Sequence, residues 1–372
     1  MGNNDENNGD GTGAGRFPKL NDRQEIMFES ALDRFKQYLL TEGKNPLKQK
    51  GYAEDSIDSR VSRVLKAIYY IWKIDGITME ITPEQADRVI NDLNTDDFRR
   101  LDGDRYAEGS KRKIANVLTN WFEFHGSDWQ PKIKFKDGPP QNNADLFTKI
   151  EVNKIWNESL VYKSIPKYKN LTPKERDNWK GYLAQELGKP KEEVTPDDWK
   201  RVNTSWKFPS VISTERAAGW RPALINRMKV DWYNPDAMTI TIPAEQAVKS
   251  DIKWIQKMNP KATDPLDRWI EQRENIEKYD DSDHMWLNRK GNPYNSKTLN
   301  DLLNNLMENA GINAGGRKLC WYSFRHTLGT HVYHEYKDLK IVAETLRQKS
   351  PKSALRYIHV LDDDLRDASD II

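Results

Sequence analysis

The chain holds a single cysteine, Cys320, among 372 residues, which excludes an intramolecular disulfide and fits a reducing, intracellular setting. Long apolar runs are also missing. The stretch around Val64 to Trp72 is interrupted by Lys66 and falls far short of the roughly 20 residues a membrane span needs, so no span and no membrane partner are expected. Nor is there an excess of charge of either sign. With 59 Lys and Arg against 57 Asp and Glu, the formal charge is +2, and any nucleic-acid signal must come from where the charges sit. No H-E-x-x-H or paired C-x-x-C occurs, and Cys320, His326, His331 and His334 follow no familiar zinc spacing, so no metal is expected. The opening MGNNDENNGDGTGAG lacks the basic and apolar regions of a signal peptide. Its Gly, Asn and Asp content predicts a disordered tail over residues 1–21.

What the chain does have is enough apolar surface, 37% of residues with 13 Trp, to fill real cores, and a length that suits two domains. From Asp22 onward apolar residues recur at spacings of three and four: Ile26, Phe28, Leu32, Phe35 and Leu39, then Ile57, Val61, Val64, Ile68 and Ile71. Thr82 followed by Pro83 reads as an N-cap with proline at the first helical position, and Gly109 to Phe124 forms a further helix. The expectation is an all-helical domain over 22–130. PKIKFKDGPPQNNAD, from Pro131, has no apolar period and reads as a linker over 131–146. In the second domain, 147–372, helices resume at Thr148. Met238 to Pro243 (MTITIP) alternates like a strand after an Asn234-Pro235-Asp236 turn. The fold class is therefore mainly α with a small antiparallel sheet. A polar, Trp-punctuated stretch between Lys163 and Lys207 holds two Thr-Pro helix starts, at Thr172 and Thr195, and no function is assigned to it.

Charge is distributed unevenly near the end of the chain. Between Cys320 and His359 lie Arg325, Lys337, Lys340, Arg347, Lys349, Lys352 and Arg356 against Glu335, Asp338 and Glu344, while Asp362, Asp363, Asp364, Asp367 and Asp370 follow. This basic stretch contains W-Y-S-F-R-H-T-L-G-T-H, Trp321 to His331, and later R-Y-I-H, Arg356 to His359. Here the chain resembles the tyrosine recombinases, whose His-x-x-Arg-His box is followed, after a helix, by a Leu-Gly-His box and a nucleophilic tyrosine nine residues on. The first box here reads Tyr322, Ser323, Phe324, Arg325, His326; the second reads Leu346, Arg347, Gln348, and nine residues later comes Tyr357. The family's Thr-Gly-Leu-Arg box is matched by Ala218, Gly219, Trp220, Arg221, and its hairpin lysine by Lys249, with Lys253 as alternate.

The resemblance implies an N-terminal helical core-binding (SAM-like) domain that clamps DNA, plus a mixed α+β catalytic domain. It further implies double-stranded DNA as partner, a homo-tetramer in synapsis with a monomer off DNA, no cofactor, and residence in the cytoplasm at the nucleoid. The catalytic set is Tyr357, Arg221, Arg325, Lys249, Tyr322 and Gln348, supported by His326. Lys111, Arg112 and Lys113, at a helix start in the first domain, are candidate phosphate contacts.

The chemistry asks for these residue types in its own right. Charge accumulates on phosphate oxygens as a fifth oxygen approaches, and two guanidinium forks can hold those oxygens at any working pH. A phenol placed in line gives a phosphotyrosyl link that conserves the bond for religation, and a lysine can supply the leaving hydroxyl's proton. Ser323 is expected to cap a helix that aims free N–H groups at the phosphate, and Ser350-Pro351 to start a short helix carrying Tyr357 about two turns along. Two positions depart from the family. Gln348 replaces a His or Trp and brings neither charge nor a transferable proton, and Leu224 replaces an acid three positions after the first arginine. Type IB topoisomerase-like relaxation and a catalytically silent DNA-binding accessory role remain open as alternatives.

Overall fold

The computed structural model describes residues 19–136, 144–248, 252–348 and 350–358. They divide into two compact units, Met1–Gln141 and Asn142–Ile372.

The first unit is helical: α1 (Asp22–Thr41), α2 (Ile57–Asp75), α3 (Pro83–Thr95) and α4 (Glu108–Phe124). Asn21 and Thr82 start α1 and α3 with reciprocal caps, each side chain accepting from the N–H three residues on while Gln24 and Gln85 reach back. The three- and four-residue periodicity resolves into one core, with Phe35, Leu39, Val64, Ile71, Val89, Leu93, Val117 and Leu118 fully buried. Phe35 meets Trp121 edge-on at 4.9 Å. Residues 131–136, read as linker, pack here instead, because Phe135 is buried in this core and burying a phenylalanine yields roughly 1.5–3 kcal/mol. Residues 137–143 of that linker, and residues 1–18 of the expected tail, lie outside the described residues.

The second unit runs α5 (Lys149–Val161), α6 (Pro173–Leu187), α7 (Pro196–Arg201), α8 (Lys207–Ala218), α9 (Pro222–Arg227), β1 (Tyr233–Asn234), β2 (Thr239–Ile242), β3 (Trp254–Lys257), α10 (Pro260–Arg273), α11 (Ser296–Asn309), α12 (Tyr322–Tyr336) and α13 (Leu339–Thr345). A 3₁₀ segment, Pro351–Tyr357, follows. The sheet is antiparallel in the order β1-β2-β3, with Tyr233 opposite Ile240 and Ile242 opposite Trp254. The alternation in MTITIP buries Ile240 and Ile242 against the helices. Met238 opens the strand at φ 49, just after Asn234 accepts from the Ala237 N–H. Helix α8 is central: Val211, Ile212 and Ala218 share a core with Trp220, Leu266, Trp269, Trp286, Leu303 and Trp321. Thr172 and Thr195 cap α6 and α7, and these helices enclose a separate small core of Ile165, Trp179, Tyr182, Leu183, Val194 and Trp199. Among the described residues no helix is long and apolar enough to cross a membrane.

Candidate active site

The site is assembled around the C-terminal end of α8. That helix closes at Gly219, whose N–H donates to Glu215 O at 2.8 Å and whose φ of 54 lies in the left-handed region. A Cβ here would lie 3.2 Å from Arg325 Cα and from the Leu328 and Leu346 side chains, so glycine serves both the turn and the close approach of α12. Two residues on, Arg221 takes the N-cap position of α9, ahead of Pro222. Its guanidinium is half-buried, donates to Val248 O at 3.4 Å and has its pKa lowered, first by burial and then by Arg325. The Tyr322 hydroxyl faces it.

Helix α12 supplies the second arginine. It begins at Tyr322, two residues earlier than a Ser323 cap allows; Ser323 is buried inside the first turn, and its Oγ accepts from Cys320 N at 3.1 Å. Arg325 is 0% exposed. One terminal nitrogen donates to Gly219 O at 2.6 Å and the other to Leu346 O, so the guanidinium ties α8 to the loop after α13. His326 lies between two phenol rings, with centroids 5.0 Å from Tyr322 and 5.3 Å from Tyr357. Gly329, one turn on, gives the Tyr357 ring the space that a methyl group would occupy.

Ser350 caps the last segment by accepting from Lys352 N at 3.2 Å, as its position before Pro351 predicts, although the segment is 3₁₀ rather than α. Its final residue, Tyr357, is wholly buried with Val342, Ala343, Leu346 and Ala354. The hydroxyl accepts from Gln348 Nε2 at 3.1 Å. Burial raises its pKa, Tyr322 adds to the rise and Arg325, which faces it, opposes it, so the phenol keeps its proton at neutral pH. Tyr322, Arg325, His326, Gln348 and Tyr357 are thus brought together, with Arg221 reaching Tyr322 from the α8 side.

Other expected residues stand elsewhere. Lys249 lies outside the described residues, in the segment between β2 and β3, and so do the acids of the C-terminal tail. Lys111 is not a free cation for phosphate: it is 5% exposed and paired with Asp96 at 2.8 Å and Glu108 at 3.1 Å, because its place in the helical period turns it inward. Arg112 is half-buried and Lys113 exposed. Buried Leu224 sits in the core, where an acid would have been stranded without solvent.

Two site residues escaped the sequence reading. Glu215, one turn before Gly219, is 0% exposed. Burial pushes its carboxyl up to about 8, against the pull of the Trp321 indole N–H, Arg325, Arg347 and the Trp220 backbone N–H. Arg347 reaches back to stack its guanidinium on Trp220, 4.0 Å from the ring centroid. Arg347 stands in the middle of the Leu346-Arg347-Gln348 box with no role of its own suggested by the sequence, and Glu215 lies three residues ahead of the Ala218–Arg221 box.

Residues 210–364 match the Phage integrase family. Tyrosine recombinase XerC of Oceanobacillus iheyensis is 32% identical over 88 residues, 24% of this chain and 28% of that protein. Tyrosine recombinase XerC of Anoxybacillus flavithermus is 33% identical over 85 residues, 23% of this chain and 27% of its own length. The match therefore spans only about a quarter of each of these relatives. Transposase B from transposon Tn554 of Staphylococcus aureus is 29% identical over 93 residues, 24% of this chain and 15% of that protein. Among solved structures, XerH site-specific recombinase bound to palindromic difH substrate, a post-cleavage complex, superposes with a TM-score of 0.56 at 15% identity, covering 95% of this chain and 98% of that one. The fold is that of a mainly helical recombinase with a small sheet. Residues 210–364 thus form a domain that matches the Phage integrase family, and the stretches shared with the XerC relatives are those of tyrosine recombinases.

Proposed function

We propose that this chain is a site-specific DNA recombinase, an integrase that cleaves and rejoins duplex DNA through a 3′-phosphotyrosyl intermediate. The observation that carries the reading is the meeting of a buried phenol, Tyr357, with Arg325 and Gln348, drawn from separate segments of the chain beside Arg221. In the reaction, Arg221 and Arg325 hold the non-bridging oxygens of a phosphodiester, and the Tyr357 oxygen gives up its proton to solvent and bonds to phosphorus while the bond to the 5′ oxygen breaks. Lys249 donates a proton to the departing 5′ oxygen, a role that rests on its place in the chain order. Tyr322 orients Arg221, His326 braces the two phenol rings, and Gln348 positions the nucleophile by its hydrogen bond.

Double-stranded DNA is the substrate, gripped by the helical unit as well. Lys113, exposed on α4, contacts phosphate, with Arg112 beside it. Four copies assemble in synapsis from monomers off DNA, within the cytoplasm at the nucleoid. The test is covalent capture. The full chain is incubated with a library of nicked suicide duplexes of random sequence, denatured in detergent and probed for DNA-linked protein, beside Tyr357→Phe. Adducts with wild type and none with the variant are expected, and sequencing the captured DNA identifies the site. A wild type that binds the library yet forms no adduct would sink the enzyme reading in favour of a silent accessory protein. Plasmid relaxation without two-site recombination would favour a topoisomerase instead.

A further inference from the structure

Reading the site as a phosphodiester clamp leaves one cation without a task. Arg347 occupies the middle of the Leu346-Arg347-Gln348 box with φ 52, in the left-handed region that disfavours any residue with a Cβ. The family's residue at this point of the box is glycine, which adopts that conformation freely. Its replacement by the bulkiest cation is therefore not explained by the backbone.

The guanidinium stacks on Trp220 at 4.0 Å and donates through Nη2 to Ala218 O at 3.2 Å. The next carbonyl, Gly219 O, accepts from Arg325. Successive carbonyls at the negative end of α8 thus hold two guanidiniums side by side, and Arg221 follows two residues later. Nε and Nη1 of Arg347 make no hydrogen bond among the described residues. Burial, then Arg325 and Arg221, lower the Arg347 pKa, while Glu215 opposes. Glu215 is the one carboxyl so placed among the described residues, and burial raises its own pKa to about 8. Three arginines facing at most one negative charge is an arrangement that favours an anion among them.

We propose that Arg347 is a third phosphate-binding arginine, whose uncommitted Nε and Nη1 donate to a non-bridging oxygen of the scissile phosphate and bring the positive charge that Gln348 lacks. The proposal rests on the phosphodiester reading of the site. No bond beyond those of the strand-transfer step is made or broken. Arg347 neutralises charge on the five-coordinate phosphorus as Tyr357 attacks, and removing one such donor slows a reaction by roughly 10²–10³.

The experiment uses the duplex recovered by covalent capture, with the full chain, and times adduct formation for wild type, Arg347→Gly and Arg347→Lys. Glycine accepts the backbone conformation at this position, so Arg347→Gly is expected to keep the wild-type circular dichroism while forming adduct at least about 100-fold more slowly. Arg347→Lys, which keeps the charge but not the planar fork, is expected about tenfold slower and supplies the same comparison should the glycine variant unfold. The duplex is then remade with a methylphosphonate at the scissile position, which removes one charged oxygen. For one of its two isomers the gap between wild type and Arg347→Gly is expected to shrink to about threefold or less, since the oxygen gripped is already gone. Equal rates on the natural phosphate would overturn the proposal while leaving the recombinase reading intact. An undiminished gap on both isomers would overturn it too, by showing a purely structural arginine. Failure of wild type to form any adduct would remove the phosphodiester reading and this proposal together.

Discussion

Replacing Gly329 by alanine puts a methyl group where there is no room for one. The new Cβ would lie 2.8 Å from Leu346 Cδ1, 2.8 Å from Tyr357 Cδ1 and 2.9 Å from Tyr357 Cγ. Two of these three atoms belong to a rigid ring, so relief requires the ring, and with it the 3₁₀ segment Pro351–Tyr357, to retreat from α12. Overpacking of this kind costs about 1–3 kcal/mol. Alanine also improves helix propensity in mid-helix by about 1 kcal/mol, which offsets part of the loss. The net expectation is destabilisation of the second unit by up to about 2 kcal/mol, read as a fall of up to a few degrees in its melting transition by calorimetry. Hydrogen exchange is expected to speed up over 339–358 and not in α8. A gain of about 1 kcal/mol, the outcome of propensity alone, would refute the seating of Tyr357 against α12.

Other perturbations test the rest of the site. Glu215→Gln addresses proton linkage: a carboxyl raised to about 8 from its ordinary 4.5 keeps its proton in the folded state while the unfolded chain releases it. Wild type is then expected to lose stability as pH climbs from about 4.5 to 8, by at most about 1.4 kcal/mol per pH unit, and denaturation curves across this range should show the Gln variant spared that loss and the more stable of the two at pH 8. A variant weaker at every pH would mean an ionised Glu215 paired with Arg325 and Arg347. Arg325→Ala strands the Gly219 and Leu346 carbonyls and opens a cavity, so it is expected to cost about 3 kcal/mol or more in chemical denaturation, besides abolishing adducts. An unchanged midpoint would contradict the strut. Gln348→His places a titratable group on the Tyr357 hydroxyl, and adduct formation is expected to become about tenfold faster at pH 6 than at pH 8, where the wild-type profile lacks that limb. A flat ratio between the two proteins would refute a charge deficit at this position.

The elements that sequence reasoning located best were those whose signal is local. Thr82-Pro83, Thr172-Pro173 and Thr195-Pro196 each set a helix start through their own side chain, and MTITIP shows its inward face by alternation alone. The box of Tyr322, Arg325 and His326 was legible because helical spacing already puts those residues within a turn or so. Three-dimensional partnerships were harder to read. Lys111 looked like one of three equivalent cations until the helix phase turned it toward Asp96, and Phe135 looked like part of a polar connector until it found a core. Glu215 and Arg347 lie far apart in the sequence and meet through the close approach of backbone at Gly219, which no periodicity encodes. A lone glutamate in an apolar helix is silent until its neighbours are known.

The small core around Trp179 and Trp199 is entered and left at a single point. Ile165 donates to Asn203 O at 2.8 Å, Ser205 donates to Lys163 O at 3.2 Å, and Ser164 faces Thr204 across an isolated bridge. Gln272 fastens this neck by bonding Thr204 O at 2.8 Å and the Trp206 N–H at 2.8 Å. A segment whose two ends are clasped together behaves as a detachable cassette: its length and surface can drift, shrink or be exchanged without changing the gap the remaining chain must bridge. Evolution and engineering alike can therefore rewrite much of these forty or so residues (165–203) without moving the chain ends they hang from, so long as the side that Tyr182, Glu186 and Lys174 present to Gln272, Arg268 and Glu277 is kept.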